Sequence, residues 1–151
     1  MKDSYNLALK QLQELLQDER DEMGVLANAA ALIKEVTGYF WVGFYVVRGD
    51  ELSLGPFQGS VACMHIAYGK GVCGTAWKER RTIVVDDVHQ FPGHIACSSL
   101  SQSEVVAPLF DGNGHVMAVL DVDSKHLADF SPDDVAFLES AASIVGNNLY
   151  V

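Results

Sequence analysis

The stretch EVVAPLFDGNGHVMAVLDVDS, Glu104 to Ser124, decides the fold. Its two apolar runs, Glu104 to Phe110 and Val116 to Ser124, flank Asp111-Gly112-Asn113-Gly114, a strong hairpin turn. Both runs therefore read as antiparallel strands. In the second, Val116, Ala118, Leu120 and Val122 point to one face, and Met117, Val119, Asp121 and Asp123 to the other. Asp121 and Asp123 lie two residues apart, so a strand holds their carboxylates roughly 7 Å apart on one side. The hairpin also brings Glu104, at the start of its strand, close to both. Three carboxylates on a partly covered face repel one another, so at least one pKa should rise. Together they would also attract an ammonium group.

The same alternation appears on either side of the hairpin. WVGFYVV, Trp41 to Val47, reads as a strand, Arg48 to Glu51 as a tight turn, and ELSLGPF as the partner strand. In the first of these, Trp41 and Tyr45 flank Gly43 on one face, a wall with a gap. ACMHIAYGKG holds room for a short strand, TIVVDD reads as another, and Gly71 to Arg80 as a short helix opened by glycines. A long loop, Val88 to Ser103, precedes the hairpin, and its SSLSQS run reads as mobile, polar linker.

Helices occupy the two ends. Leu7, Leu9, Leu12, Leu15 and Leu16 recur at helical spacing, with Asp3-Ser4 offered as the cap. DERDE, from Asp18 to Glu22, breaks that pattern. A second helix runs from about Met23 to Val36 and ends at Gly38. Ser131-Pro132-Asp133-Asp134 combines a serine cap, a first-turn proline and first-turn acids, and opens a last helix to about Leu149. Helices segregated from an antiparallel sheet make an α+β domain. The terminal helices should pack on one face, leaving a loop-covered pocket on the other.

At 151 residues the chain reads as one domain, residues 1–151, large enough to fold without a disulfide or a metal. A net charge of -10 argues against nucleic acid and anionic membranes as partners. No secretory leader and no membrane-length apolar run is visible, which places the expected location in the cytoplasm. There, a disulfide among Cys63, Cys73 and Cys97 would be catalytic or sensory rather than structural.

The thiols admit more than one reading. Cys73 sits near the start of the short helix, where the dipole favours a thiolate, yet it also suits a small buried core position. Cys97 lies in the polar loop beside His94, Ser98 and Ser99, where core burial fits poorly. Cys63-x-His65 and His94-x-x-Cys97 together supply the donor set of a structural zinc, although C-x-H is not a usual zinc pair.

WVGFY, LGPFQG, GKGVCGTA, DDVHQFPGHIAC, SE at 103–104 and VLDVDS, with the three-cysteine spacing, resemble the free methionine-(R)-sulfoxide reductase family, single GAF-domain enzymes. The resemblance implies a GAF fold and reduction of free methionine-(R)-sulfoxide by a thiol mechanism that needs no metal or other cofactor. It implies Cys97 as nucleophile, Cys63 as resolving cysteine and Cys73 as a third thiol, sometimes an alternative partner. It implies Trp41 and Tyr45 around the methylsulfinyl end, with Glu104, Asp121 and Asp123 as the acids of the pocket. Thioredoxin or a similar dithiol is the implied reductant, and a homodimer the implied assembly. The family usually has Asp after the nucleophile, where this chain has Ser98. The alternative is a GAF-type small-molecule or redox sensor without turnover, since that fold alone does not fix a function.

Overall fold

The computed structural model describes residues 1–94 and 99–151. Cys97 and Ser98 lie outside the described residues. Four helices and six strands follow in order: α1 (Asp3–Leu16), α2 (Glu22–Thr37), β1 (Trp41–Arg48), β2 (Glu51–Gln58), β3 (His65–Ala67), α3 (Gly71–Glu79), β4 (Ile83–Val85), β5 (Ser103–Phe110), β6 (Val116–Ser124) and α4 (Pro132–Leu149). A single 3-10 turn, Val88–Gln90, interrupts the long loop. The strands form one antiparallel sheet in the order β3-β2-β1-β6-β5-β4.

Local chemistry sets the element ends. Gly38 closes α2 in the left-handed conformation, φ 71°, and its N–H donates to the Lys34 carbonyl. Ser131 caps α4 in a full capping box. Its hydroxyl accepts from the Asp134 N–H, and the Asp134 carboxylate accepts from the Ser131 N–H. The expected cap of α1 at Asp3-Ser4 is corrected: the helix already includes Asp3, Lys2 holds the cap position, and no side chain caps it. At the hairpin turn the Asp111 carboxylate accepts from the N–H groups of Asn113 and His115.

The two faces of the sheet bury different things. On one, Val42, Phe44, Val46, Val105, Ala107, Leu109, Ala118, Leu120 and Val122 pack under α1, α2 and α4. Phe44 and Leu120 are no more than 1% exposed, and each such side chain contributes about 1.5–3 kcal/mol of burial energy. On the other face Trp41, Tyr45, Val106 and Val119 pack with Cys73 and Ala76 of α3. Val116 departs from the expected alternation. A register shift between Leu109 and Phe110 puts it with the α3 cluster instead of with Ala118.

Candidate active site

Strand register builds the site. Asp123 of β6 stands between Glu104 of β5 and Trp41 of β1. One row further, Asp121 stands between Val106 and Gly43. Pairing of Val119 with Tyr45 completes the floor. The three acids therefore share one small area under α3. Glu104, Asp121 and Asp123 are 6%, 6% and 8% exposed, so the expected partial cover is nearly complete burial.

Their side chains crowd together: Cys73 Sγ and carboxylate oxygens of Glu104 and Asp121 all lie within 4.8 Å of one another. Burial, followed by the charge of Asp121, pushes the Glu104 and Asp123 carboxyls well above the usual range. Burial also raises the Asp121 carboxyl. Acids this close titrate as a set, and burial favours protons held within it. Asp121 Oδ1 is buried with no hydrogen-bond partner among the described residues.

These groups line a cavity of about 50 Å³, room for roughly four water molecules. Trp41 and Tyr45 form its aromatic wall, Val61 and Ala62 the edge beside Cys63, and His94 and Ser101 the loop side. Trp41 and Tyr45 ring centroids are 6.1 Å apart. Their polar ends fasten the loop that carries Cys63. The Trp41 indole N–H donates to the Ser60 carbonyl at 2.9 Å, and the Tyr45 hydroxyl donates to the Cys63 carbonyl at 2.8 Å.

Gly43 is not the gap the sequence suggests. A Cβ there would lie 2.3 Å from Cβ of Phe57 and 2.6 Å from the Trp41 ring. The missing side chain is what allows Trp41 to lie flat, stacked on Phe57 with centroids 5.1 Å apart.

The thiols differ sharply. Cys63 is partly buried and disulfide-bonded. Cys73 is a free thiol, 4% exposed. Cys73 takes the small buried core position, and burial and then the charge of Asp121 push its thiol well above the ordinary value, against the thiolate that the helix dipole would favour. Of the residues weighed as zinc donors, His65 is exposed with its ring beside the Glu51 carboxylate, and Cys97 lies outside the described residues.

Sequence reading also missed part of the loop. Ser101 and Ser103 are buried, and Ser103 donates to the His126 carbonyl at 2.6 Å. The Gln102 N–H donates to the Ser124 carbonyl at 2.8 Å. This end of the polar run is fastened to the sheet rather than a solvated linker. Its one usable signal is adjacency to Glu104, because residues entering a central strand must find partners for their buried polar groups.

Such a fold and site define a class. The chain matches the GAF domain family over residues 13–149. Among curated relatives, "GAF domain-containing protein A" of Dictyostelium discoideum is 47% identical over 146 residues, 96% of this chain and 92% of that protein. The free methionine-R-sulfoxide reductase of Escherichia coli is 45% identical over 121 residues, 80% of this chain and 73% of that protein. The X-ray structure of free methionine-R-sulfoxide reductase from Neisseria meningitidis in complex with its substrate is 48% identical, with a TM-score of 0.92, covering 98% of this chain and 90% of that one. The chain belongs to the free methionine-R-sulfoxide reductase family of GAF-domain proteins.

Proposed function

We propose that this protein reduces free L-methionine-(R)-sulfoxide to methionine. The observation that carries the reading is a small cavity lined by three buried carboxylates and an aromatic wall, beside a disulfide-bonded cysteine. Family membership supports the same chemistry, and the named activities of the relatives supply its substrate and its R preference.

The Cys97 thiolate attacks the sulfoxide sulfur while a protonated acid, Glu104 or Asp123, gives its proton to the sulfoxide oxygen. That oxygen would otherwise be a poor leaving group, and an acid held above its usual pKa can still donate near neutral pH. The protonated oxygen passes to the Cys97 sulfur as its bond to the substrate sulfur breaks, the transient S–S bond breaks with its electron pair on the methionine sulfur, and methionine departs reduced by two electrons, leaving Cys97 as a sulfenic acid. The Cys63 thiol condenses with it, releasing water and forming a disulfide. An external dithiol such as thioredoxin returns the pair to thiols and becomes oxidised in turn. That Cys63 is bonded while Cys73 is free supports Cys63 as the resolving thiol.

Asp121 is the natural acceptor for the substrate's ammonium group. Its Oδ1 is buried with no hydrogen-bond partner among the described residues. Within a peptide the substrate nitrogen is a neutral amide, so it would forfeit the charge interaction. Trp41 and Tyr45 then hold the methylsulfinyl end.

Action in the cytoplasm as a homodimer completes the proposal. Leu7 and Leu15 on α1 stay 57% and 46% exposed, apolar surface that a second copy would cover. No helix among the described residues is long and apolar enough to cross a membrane.

The test is turnover of free methionine R- and S-sulfoxides with dithiothreitol, followed by chiral chromatography. Selective loss of the R epimer is expected. Persistence of both epimers with reduced, folded protein would overturn the assignment and favour a ligand sensor.

A further inference from the structure

We infer that the Tyr45 hydroxyl is a positioning group for the resolving thiol, holding the Cys63 backbone where its sulfur closes the disulfide. The inference rests on the function proposed above and gives the aromatic wall of the cavity a second task. Tyr45 is 2% exposed, and its hydroxyl donates to the Cys63 carbonyl at 2.8 Å. A phenol, with an ordinary pKa of about 10, keeps that proton at neutral pH. The carbonyl belongs to the same residue as the sulfur, so the bond fixes the backbone from which the thiol projects. Other anchors of the segment are few. Residues 59–64 form no helix or strand between β2 and β3. Ala62 packs against the cluster under α3, but Val61 and Met64 are 87% and 69% exposed, so burial on either side of it holds the chain weakly. Carbonyl groups take over that work. Ser60 accepts from the Trp41 indole N–H and Met64 from the Leu54 N–H, both at 2.9 Å. Between them, the Tyr45 bond is the one made to the cysteine itself.

The tether has a firm base. Tyr45 is paired on both sides within the sheet, with Leu54 of β2 and Val119 of β6. Its ring continues a stack with Trp41 and Phe57, at interplanar angles of 24° between Tyr45 and Trp41 and 17° between Trp41 and Phe57. Gly59 lets the chain leave that stack closely. Its φ is 145°, and a Cβ there would lie 2.4 Å from Trp41 Cδ1. The segment thus starts against one ring of the wall and is caught at Cys63 by the hydroxyl of the next.

In the closing step the Cys63 sulfur attacks the Cys97 sulfenic sulfur, the S–S bond forms, and the sulfenic oxygen leaves as water with the thiol's proton. Its rate depends on how often Cys63 is in place, so the test reads that step alone. Reduced protein turns over free methionine-(R)-sulfoxide once, without a dithiol, in the presence of dimedone, a cyclic 1,3-dione that alkylates sulfenic acids. Peptide mass mapping then gives the ratio of Cys97 adduct to disulfide. Tyr45→Phe keeps the ring and removes the donor, and should raise that ratio about fivefold, the worth of one hydrogen bond. The ratio counts only molecules that have already released methionine, so a change in substrate binding does not enter it. Tyr150→Phe is the control for a lost tyrosine hydroxyl, one that donates to Glu22 at 2.8 Å on the helical side, and should keep the wild-type ratio. An unchanged ratio in Tyr45→Phe, or an equal rise in Tyr150→Phe, would overturn the inference. Stoichiometric hydrogen peroxide reads the same competition without sulfoxide, because the Cys97 thiolate takes one peroxide oxygen and hydroxide leaves. If the wild type consumed no sulfoxide but the peroxide ratio still rose in Tyr45→Phe, the proposed function would fall and the role of Tyr45 would stand. A peroxide ratio equal to wild type would overturn that role whatever the turnover.

Discussion

The two faces of the central sheet are made by the same strands and do opposite work. Under α1, α2 and α4 the inward positions are apolar without interruption, from Val42 and Phe44 to Leu120 and Val122. Under α3 the same strands present Trp41, Tyr45 and Val119, then Asp121, Asp123 and Glu104. The first face gains free energy from every side chain it covers. The second buries three carboxylates that cost desolvation and repel one another, which burial relieves by raising their affinity for protons. A period-two strand can carry both programmes at once, because successive residues never share a face. Stability is thereby concentrated on one side and chemistry on the other.

Substitutions that separate activity from stability break this comparison most directly. Cys97→Ser should remove turnover by roughly a thousandfold or more, with the thermal midpoint of the reduced protein unchanged. Steady-state assay and thermal melting of the same sample check both halves. Glu104→Gln should lower kcat/KM by about a hundredfold, the usual worth of a positioned acid. Its stability should respond differently with pH. The Glu104 carboxyl binds its proton more tightly folded than unfolded, where its value is near 4.5. Its stabilising contribution is therefore fully present below that value and is lost as pH rises toward the folded pKa. Wild-type melting temperature should fall across that window, and Glu104→Gln should flatten the fall. An unchanged slope would mean the acid does not hold its proton in the folded state.

On the helical face the order reverses. Leu120→Ala removes a side chain 1% exposed at the centre of the core, and should cost about 2–5 kcal/mol by denaturant titration while leaving KM as it was. A large KM change there would show that the two faces are coupled through β6. The smallest effect lies farthest from the sheet. Ser131→Ala removes half of the α4 capping box and should cost about 1 kcal/mol, a melting shift of roughly 2–4 °C, with no kinetic change.

Much of this was legible in the residues. The hairpin at Asp111–Gly114, the alternation of VMAVLDVDS and the Ser131 cap each carry a short-range physical signal, and the hairpin alone brings Glu104 near Asp121 and Asp123; the register shift at Leu109–Phe110 is what makes Asp123 its direct partner. Other features depended on contacts distant in sequence. Nothing near Gly43 announces that Trp41 and Phe57 will close over it, because Phe57 arrives from the next strand. The Cys73 dipole argument was sound locally and lost to burial against Asp121, 48 residues away by position number. Ser101 looked like linker because the cavity residues it is buried beside, Asp121 and Asp123, lie beyond the hairpin.

The sequence by itself determined the order of strands and helices, the hairpin and the family, since these follow from periodicity, turn chemistry and motif spacing along the chain. Tertiary structure alone decided the exact register of that hairpin, which acid oxygen is left without a partner among the described residues, and that Cys73 is buried against the acids. Those outcomes depend on burial and on distances of a few ångströms between segments far apart in the chain, and no local pattern encodes either.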